Sequence, residues 1–303
     1  MSQPFALACR GGLNVNLNQL EIMRQPGLAT ELLNFEVDPD GGYRRISGFT
    51  LFGGGSSARP NSSNRILGLA VYADGLIACS GTGIFFSQDG TSWLQINKAS
   101  VSGSGDNYST FTGRSNDART SQGQCSFALF EGTSDYGEML ICDGANKPFF
   151  FKMTGTGALA DRTFFASEIT VDSTTAPTVG VIHENHFVVG GAPTAKNKIF
   201  FSATLDPDSF SGTGSGSIQL TDAIVGLSSF RSDLIIFCKN SIFKLINISD
   251  SDNIAIVPIT QNVGCLDGNS IQEIGGDLLF LSPDGIRTVA GTARIGDVEL
   301  SSV

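Results

Sequence analysis

Charge is scarce in this chain. Asp, Glu, Lys and Arg make up 16% of its 303 residues, against about a quarter in an ordinary globular protein. The little there is leans acidic, with 19 Lys plus Arg against 29 Asp plus Glu and a formal net charge of −10. A surface of that sign releases few counterions from DNA or an anionic bilayer, which argues against strong unspecific binding to either. Long apolar runs are missing as well. No stretch approaches the ~18 residues of a membrane helix, and residues 1–10 hold only the short run Phe5 to Cys9, so neither signal peptide nor anchor is expected. The six cysteines, Cys9, Cys79, Cys125, Cys142, Cys238 and Cys265, stand far apart, most of them inside apolar runs such as LIAC and LIIFC. Free, buried thiols in a reducing cytosol are the simplest reading, and spacing alone leaves a disulfide open. Helical periodicity is nearly absent. The one stretch worth naming is Gly27 to Phe35, where Leu28, Leu32 and Phe35 share a face behind Pro26 and predict a turn or two of helix.

What is present is material for many short strands. The hydrophobic content of 41%, at a length that buries about 75% of the unfolded surface, excludes bulk disorder. Runs of four to eight apolar and β-branched residues end in clusters of Gly, Asn, Asp or Ser, which is the signature of antiparallel strands and tight turns. Aligned, these runs form five loose repeats: Ile66 to Trp93, Cys125 to Lys152, Val179 to Phe210, Ile224 to Ile248 and Ile271 to Gly291. Their starts are 59, 54, 45 and 47 residues apart, the length of a four-stranded propeller blade. One such unit is a small twisted sheet with two apolar faces, and packing sheets face to face about an axis covers both faces of each. The expected fold is therefore all-β, a β-propeller of about five blade-like repeats, with a β-sandwich as the rival built from the same ingredients. Residues 1–65 fall outside the repeat and read as an extended arm or docking segment with a Gly/Ser/Asn-rich link, followed by the repeats over 66–303. Ser100 to Gly123 and Ser211 to Ser217 read as long loops, where partners usually touch.

Few residues suggest chemistry. Ser87-Gln88-Asp89-Gly90-Thr91-Ser92-Trp93, after the strand Gly83 to Phe86, resembles a shortened Asp box of sialidase-like propellers, and Ser282-Pro283-Asp284-Gly285 is related. In that hairpin Asp accepts turn amides, Gly supplies positive φ and Trp packs beneath the turn, so it marks a fold and performs no reaction. A glycosidase of that type needs clustered arginines, and Arg44, Arg45, Arg59, Arg65, Arg114 and Arg119 fall mostly in loops and the arm. His183 and His186, in H-E-N-H, would point to opposite faces of one strand and make a poor metal pair. Gly155-Thr156-Gly157 and Gly53-Gly54-Gly55 lack the helix and the G-K-[ST] of a phosphate loop. Asp250 and Asp252 read as turn formers rather than calcium ligands. No catalytic, cofactor-binding or metal residue is assigned, and the chain is not expected to be an enzyme.

Two stretches carry a family resemblance. Gly11-Gly12-Leu13-Asn14, Asn34, Gly42-Tyr43-Arg44-Arg45-Ile46 and Gly48-Phe49 are similar to the starts of tail nozzle, tail tubular and packaged-DNA-stabilisation proteins of short-tailed bacteriophages. Ile224 to Leu227, Asp233 to Cys238, Asn240 to Ile242, Val263 to Cys265 and Phe280 to Ile286 resemble the recurring strand and hairpin pattern of the same family. The resemblance covers the arm and the last two repeats. It implies a virion structural protein of a tail nozzle or tube, assembled in the host cytoplasm as a homo-oligomeric, hexameric ring below the portal and adaptor proteins. Such a ring would seat tail fibre or tip proteins and conduct genomic DNA during ejection without specific binding or membrane insertion. The competing readings are a propeller that recognises a glycan or host receptor through rim loops, on the thin ground of Tyr108 and Phe111, and an Asp-box glycosidase.

Overall fold

A computed structural model describes residues 12–25, 27–38, 42–48, 60, 64–97, 119–132, 135–155, 162–172 and 175–290. The chain divides into two compact units, Met1–Leu51 and Phe52–Val303.

In the first unit a six-residue helix, α1 (Gln19–Arg24), starts at a capping box: Asn18 Oδ1 accepts the Glu21 amide at 3.0 Å and the Glu21 carboxylate accepts the Asn18 amide at 3.2 Å. The helix predicted over Gly27 to Phe35 does not form. Gly27 turns the chain at φ 98°, Ala29 is drawn into a parallel bridge with Leu13, and Asn34 sits at φ 61°. Those tertiary pairings outbid a weak local periodicity, and the better helix signal was N-x-x-E at 18–21. Phe35 then opens β1 (Phe35–Val37), which pairs antiparallel with β2 (Tyr43–Arg45). Among the described residues of this unit only Gly27 is buried, while Leu13, Val15, Leu20, Met23, Leu33 and Phe35 are exposed. Among its described residues no buried apolar cluster forms.

The second unit is all-β and propeller-like, and its described residues form a series of five antiparallel sheets. Sheet 1 holds β3 (Ile66–Tyr72), β4 (Gly75–Ser80), β5 (Gly83–Ser87) and β6 (Leu94–Gln95). Sheet 2 holds β7 (Ser126–Phe130), β8 (Glu138–Cys142), β9 (Phe149–Thr154) and β10 (Thr163–Glu168). Sheet 3 holds β11 (Val179–His183), β12 (His186–Gly190), β13 (Lys198–Phe201) and β14 (Gly216–Gln219). Sheet 4 holds β15 (Ile224–Phe230), β16 (Asp233–Cys238), β17 (Ile242–Ile246) and β18 (Ala255–Thr260). Sheet 5 has three described strands, β19 (Gln272–Ile274), β20 (Asp277–Ser282) and β21 (Gly285–Thr288).

Each sheet begins within one residue of a sequence repeat. The repeats stop short of the outer strands β6, β10, β14 and β18, and the last two residues of the expected loop Ser211 to Ser217 open β14. Tight turns set the hairpins: Glu184 and Asn185, at φ 44° and 63°, join β11 to β12, and Gly275 and Gly276, at 62° and 79°, join β19 to β20. Sheets 1 and 4 repeat one irregularity, a register shift at Ile66/Gly68 and again at Ile224/Gly226, both within an I-x-G-L sequence.

Four apolar cores join neighbouring sheets in sequence order. The first packs Ile77, Cys79, Ile84 and Phe86 of sheet 1 on Met139, Ile141, Phe149 and Phe151 of sheet 2. The second joins sheets 2 and 3 through Leu140, Cys142, Phe187 and Val189. The third joins sheets 3 and 4 through Val188, Ile199, Leu234 and Ile236. The fourth joins sheets 4 and 5 through Ile235, Phe237, Leu278 and Phe280. A sandwich has one core between two layers; here sheets 2, 3 and 4 each bury both faces, which is why their central strands read as continuous apolar runs. Tyr72 seals the first core, its hydroxyl donating to the Gly137 carbonyl at 2.8 Å and accepting the Met153 amide at 3.0 Å. Burial pushes that phenol up to about 12. Among the described residues, no buried apolar cluster joins sheet 5 to sheet 1.

Candidate functional site

The leading strands β7, β11 and β15 run side by side. Together with residues 266–269 they line an open well of about 670 Å³. Glycine allows this approach: a Cβ on Gly226 would lie 2.3 Å from Ile271 Cδ1 and 3.2 Å from Gly268 Cα. The well's polar groups are engaged locally. Ser126 Oγ donates to the Thr178 carbonyl at 3.3 Å, and Asp267 Oδ1 accepts the Asn269 amide at 2.9 Å. Beneath its rim Asp143 accepts the amides of Ala145 and Asn146 at 2.9 and 2.8 Å, and its other oxygen takes the Arg119 guanidinium at 3.0 Å. Neither side chain of that ion pair is solvent-exposed. Arg119 also lies 5.4 Å from the Phe149 ring centroid, so it ties residues 119–123 onto sheet 2 and is no substrate clamp.

The thiols are built for packing. Cys79, Cys125, Cys142, Cys238 and Cys265 are free and buried; Cys9 lies outside the described residues. Burial pushes the Cys142 thiol up, and the Cys238 thiol up to about 12. A thiol held in its protonated form is a weak nucleophile.

His183 and His186 do not lie on one strand. They end β11 and begin β12, face each other across the two-residue turn as register partners, and so share a side of the hairpin. Both reach sheet 4. His183 Nδ1 is 2.9 Å from Ser229 Oγ, and His183 Nε2 is buried with no hydrogen-bond partner. His186 Nδ1 donates to the Ser202 carbonyl at 2.6 Å. That bond fixes its tautomer, leaving Nε2 to accept from the Thr204 hydroxyl at 3.1 Å, while Ser249 Oγ, 3.3 Å away, donates its own hydrogen to Glu184. The pair fastens sheet 3 to sheet 4. Among the described residues no three His, Cys, Asp or Glu side chains gather as a metal site.

The Asp-box turn is formed. Asp89 Oδ1 accepts the Thr91 and Ser92 amides at 2.8 and 3.0 Å, Gly90 adopts φ 72°, and Ser87 Oγ accepts the Gly90 amide at 2.8 Å. The Thr91 hydroxyl, then the two amides, hold the Asp89 carboxyl down at about 2. Trp93 is half-buried. In the related turn Ser282 Oγ donates to Asp284 at 2.8 Å and Arg287 pairs with the same carboxylate. Asp250 accepts the Asp252 amide and the Asn253 side chain within its own turn. Arg44 pairs with Glu36 on the exposed β1–β2 hairpin at 2.6 Å. The Gly155 amide donates to Asp135 at 2.7 Å. Gly53 to Gly55, Arg59, Tyr108, Phe111, Arg114, Thr156 and Gly157 lie outside the described residues.

No protein-family model matches the chain, and no curated protein does. Solved structures share its outline at low identity. The extracellular domain of a hybrid two-component system from B. thetaiotaomicron is 13% identical with a TM-score of 0.43, over 73% of this chain and 26% of that one. BBS1N in its complex with ARL6DN is 13% identical with a TM-score of 0.40, over 81% and 68%. The tricorn protease is 11% identical with a TM-score of 0.30, over 75% and 26%. This chain thus spans about a quarter of the first and the last of these, and at such scores the likeness carries nothing about activity.

Proposed function

We propose that the protein is a non-enzymatic structural component of a short bacteriophage tail, a nozzle or tube subunit that assembles with copies of itself into a ring conducting DNA. The observation that carries the reading is where the family-like residues fall. Gly12, Leu13 and Asn14 pair with Ala29, while Ile46, next to the Arg44-Arg45 hairpin, donates its amide to the Asn34 carbonyl at 3.0 Å. The described part of the opening motif, which leaves out Gly11 and Phe49, thus forms two local pairings within the first unit. The second stretch, Ile224 to Ile286, makes up most of sheets 4 and 5.

Composition supports the same role. An acidic, charge-poor lining makes few phosphate contacts, so a net charge of −10 on each copy would let a duplex pass without being held. Negative-stain images of the purified protein with a mass measurement test the reading. A closed ring of six copies is the expected result, and a stable monomer overturns it. Duplex binding by the assembled ring at low salt is expected to stay weaker than micromolar; tighter binding would contradict a slippery bore.

A further inference from the structure

Residues 119–125 form a strap between sheets 1 and 2. Toward sheet 1, the Gln122 amide donates to the Gly81 carbonyl at 3.0 Å, its side chain to the Gly83 carbonyl at 3.1 Å, and the Cys125 amide to the Leu67 carbonyl at 3.0 Å. Toward sheet 2, the Gly123 amide donates to the Asp143 carbonyl at 3.1 Å. Cys125 is thereby held against β3 beside Gly68, whose register partner on β4 is Cys79. Partners in an antiparallel ladder turn their side chains to one face, with Cβ positions about 5 Å apart. A Cβ on Gly68 would lie 2.7 Å from Cys125 Cβ, so a side chain at 68 would push Cys125 away from the face that Cys79 occupies. Both cysteines belong to the core between sheets 1 and 2. Their thiols are hydrogen-bonded to each other, and that bond, then burial, holds the Cys79 thiol well above its usual value. Access separates them. Cys125 lines the open well and is 9% exposed, whereas Cys79 is 0% exposed. One thiol meets the solvent of the well, and the second stands behind it.

We propose that Cys125 and Cys79 are a peroxide-reactive pair, in which Cys125 meets the oxidant and Cys79 closes a disulfide that ties sheet 1 to the strap leading into sheet 2. The oxidant is a hydroperoxide small enough to enter the well. Cys125 Sγ gives its proton to water and attacks one peroxide oxygen; the S–O bond forms, the O–O bond breaks and hydroxide departs, leaving a sulfenic acid. Cys79 Sγ then attacks Cys125 Sγ; the S–S bond forms, the S–O bond breaks, and the departing hydroxide takes the Cys79 proton and leaves as water. With hydrogen peroxide, two thiols give up two electrons and two protons, and one peroxide becomes two waters. None of this depends on the tail reading.

The test treats the full-length protein with hydrogen peroxide, unfolds it in N-ethylmaleimide to block the remaining thiols, and maps its peptides without reduction. The expected product is a peptide pair joined through Cys79 and Cys125, two hydrogens lighter than the reduced pair and released by dithiothreitol. Cys125 carried to sulfinic acid with no joined pair, or a pair joined through Cys125 and Cys142, overturns the assignment. In Cys79→Ala the sulfenic acid is expected to persist on Cys125 and be captured by dimedone, while Cys125→Ala should leave Cys79 reduced; oxidation of Cys79 at the wild-type rate in that variant overturns the order of the two steps. If a variant loses the wild-type thermal transition, a time course on the wild type decides the order instead, with dimedone capture expected at Cys125 first and capture at Cys79 first overturning it. The oxidised protein is expected to melt at a higher temperature than the reduced one, because a bond between residues 79 and 125 restricts the unfolded chain. A lower melting temperature overturns the claim that the seam accommodates the bond.

Discussion

A guanidinium with no exposed surface carries a large stake in stability. Arg119 pays for its burial through Asp143 at 3.0 Å, the Lys147 carbonyl at 3.3 Å and the ring of Phe149. Removing the cation leaves the buried Asp143 carboxylate without its counter-charge, held only by the Ala145 and Asn146 amides and the Asn146 side chain. Arg119→Met is therefore expected to lower the unfolding free energy by about 3–5 kcal/mol, read as a shift of the urea midpoint. His183 is smaller in effect but distinct in sign. Burial holds its imidazole below the usual histidine value, against the opposing pull of Glu184 and Asp233. The unfolded chain therefore binds the proton more readily, and stability falls as the pH drops below about 6.5, continuing until the lower folded value is passed. Melting temperatures at pH ~7.5 and ~5.5 should differ more for the wild type than for His183→Gln.

Among the elements, the leading strands show what glycine does at a crowded seam. Gly226→Ala would drive a methyl into Ile271 Cδ1, at 2.3 Å, and is expected to cost about 1–3 kcal/mol. Ile271→Val removes that atom, so the double variant should regain part of the loss, a coupling that a thermodynamic cycle measures directly. The central strands were legible in the sequence because a strand buried on both faces is a continuous apolar run. β14, reading G-S-I-Q with exposed positions, carries no such signal. Nor did alternation place the two histidines, since two residues with positive φ can hide a hairpin inside what looks like one strand. The well was invisible for another reason. It is assembled from backbone and small side chains near 125, 178, 226 and 267, and the only trace in each segment is a glycine without chemical meaning of its own.

For the whole molecule, stability is a matter of neighbours, since each of the four cores belongs to two adjoining sheets. Such an arrangement behaves as a one-dimensional chain of coupled units, in which an interior member is held from two sides and a terminal one from a single side. Phe280 and Ile236 occupy matching places and are equally hidden, 1% and 0% exposed, yet among the described residues sheet 4 shares a core with each of two neighbours and sheet 5 with one. Static burial calls them equivalents; the time a backbone amide waits before trading its proton with heavy water should not. Exchange in β20 is expected to outpace exchange in β16 in the isolated subunit, with deuterium uptake advancing from the sheet held on one side toward the sheets held on two.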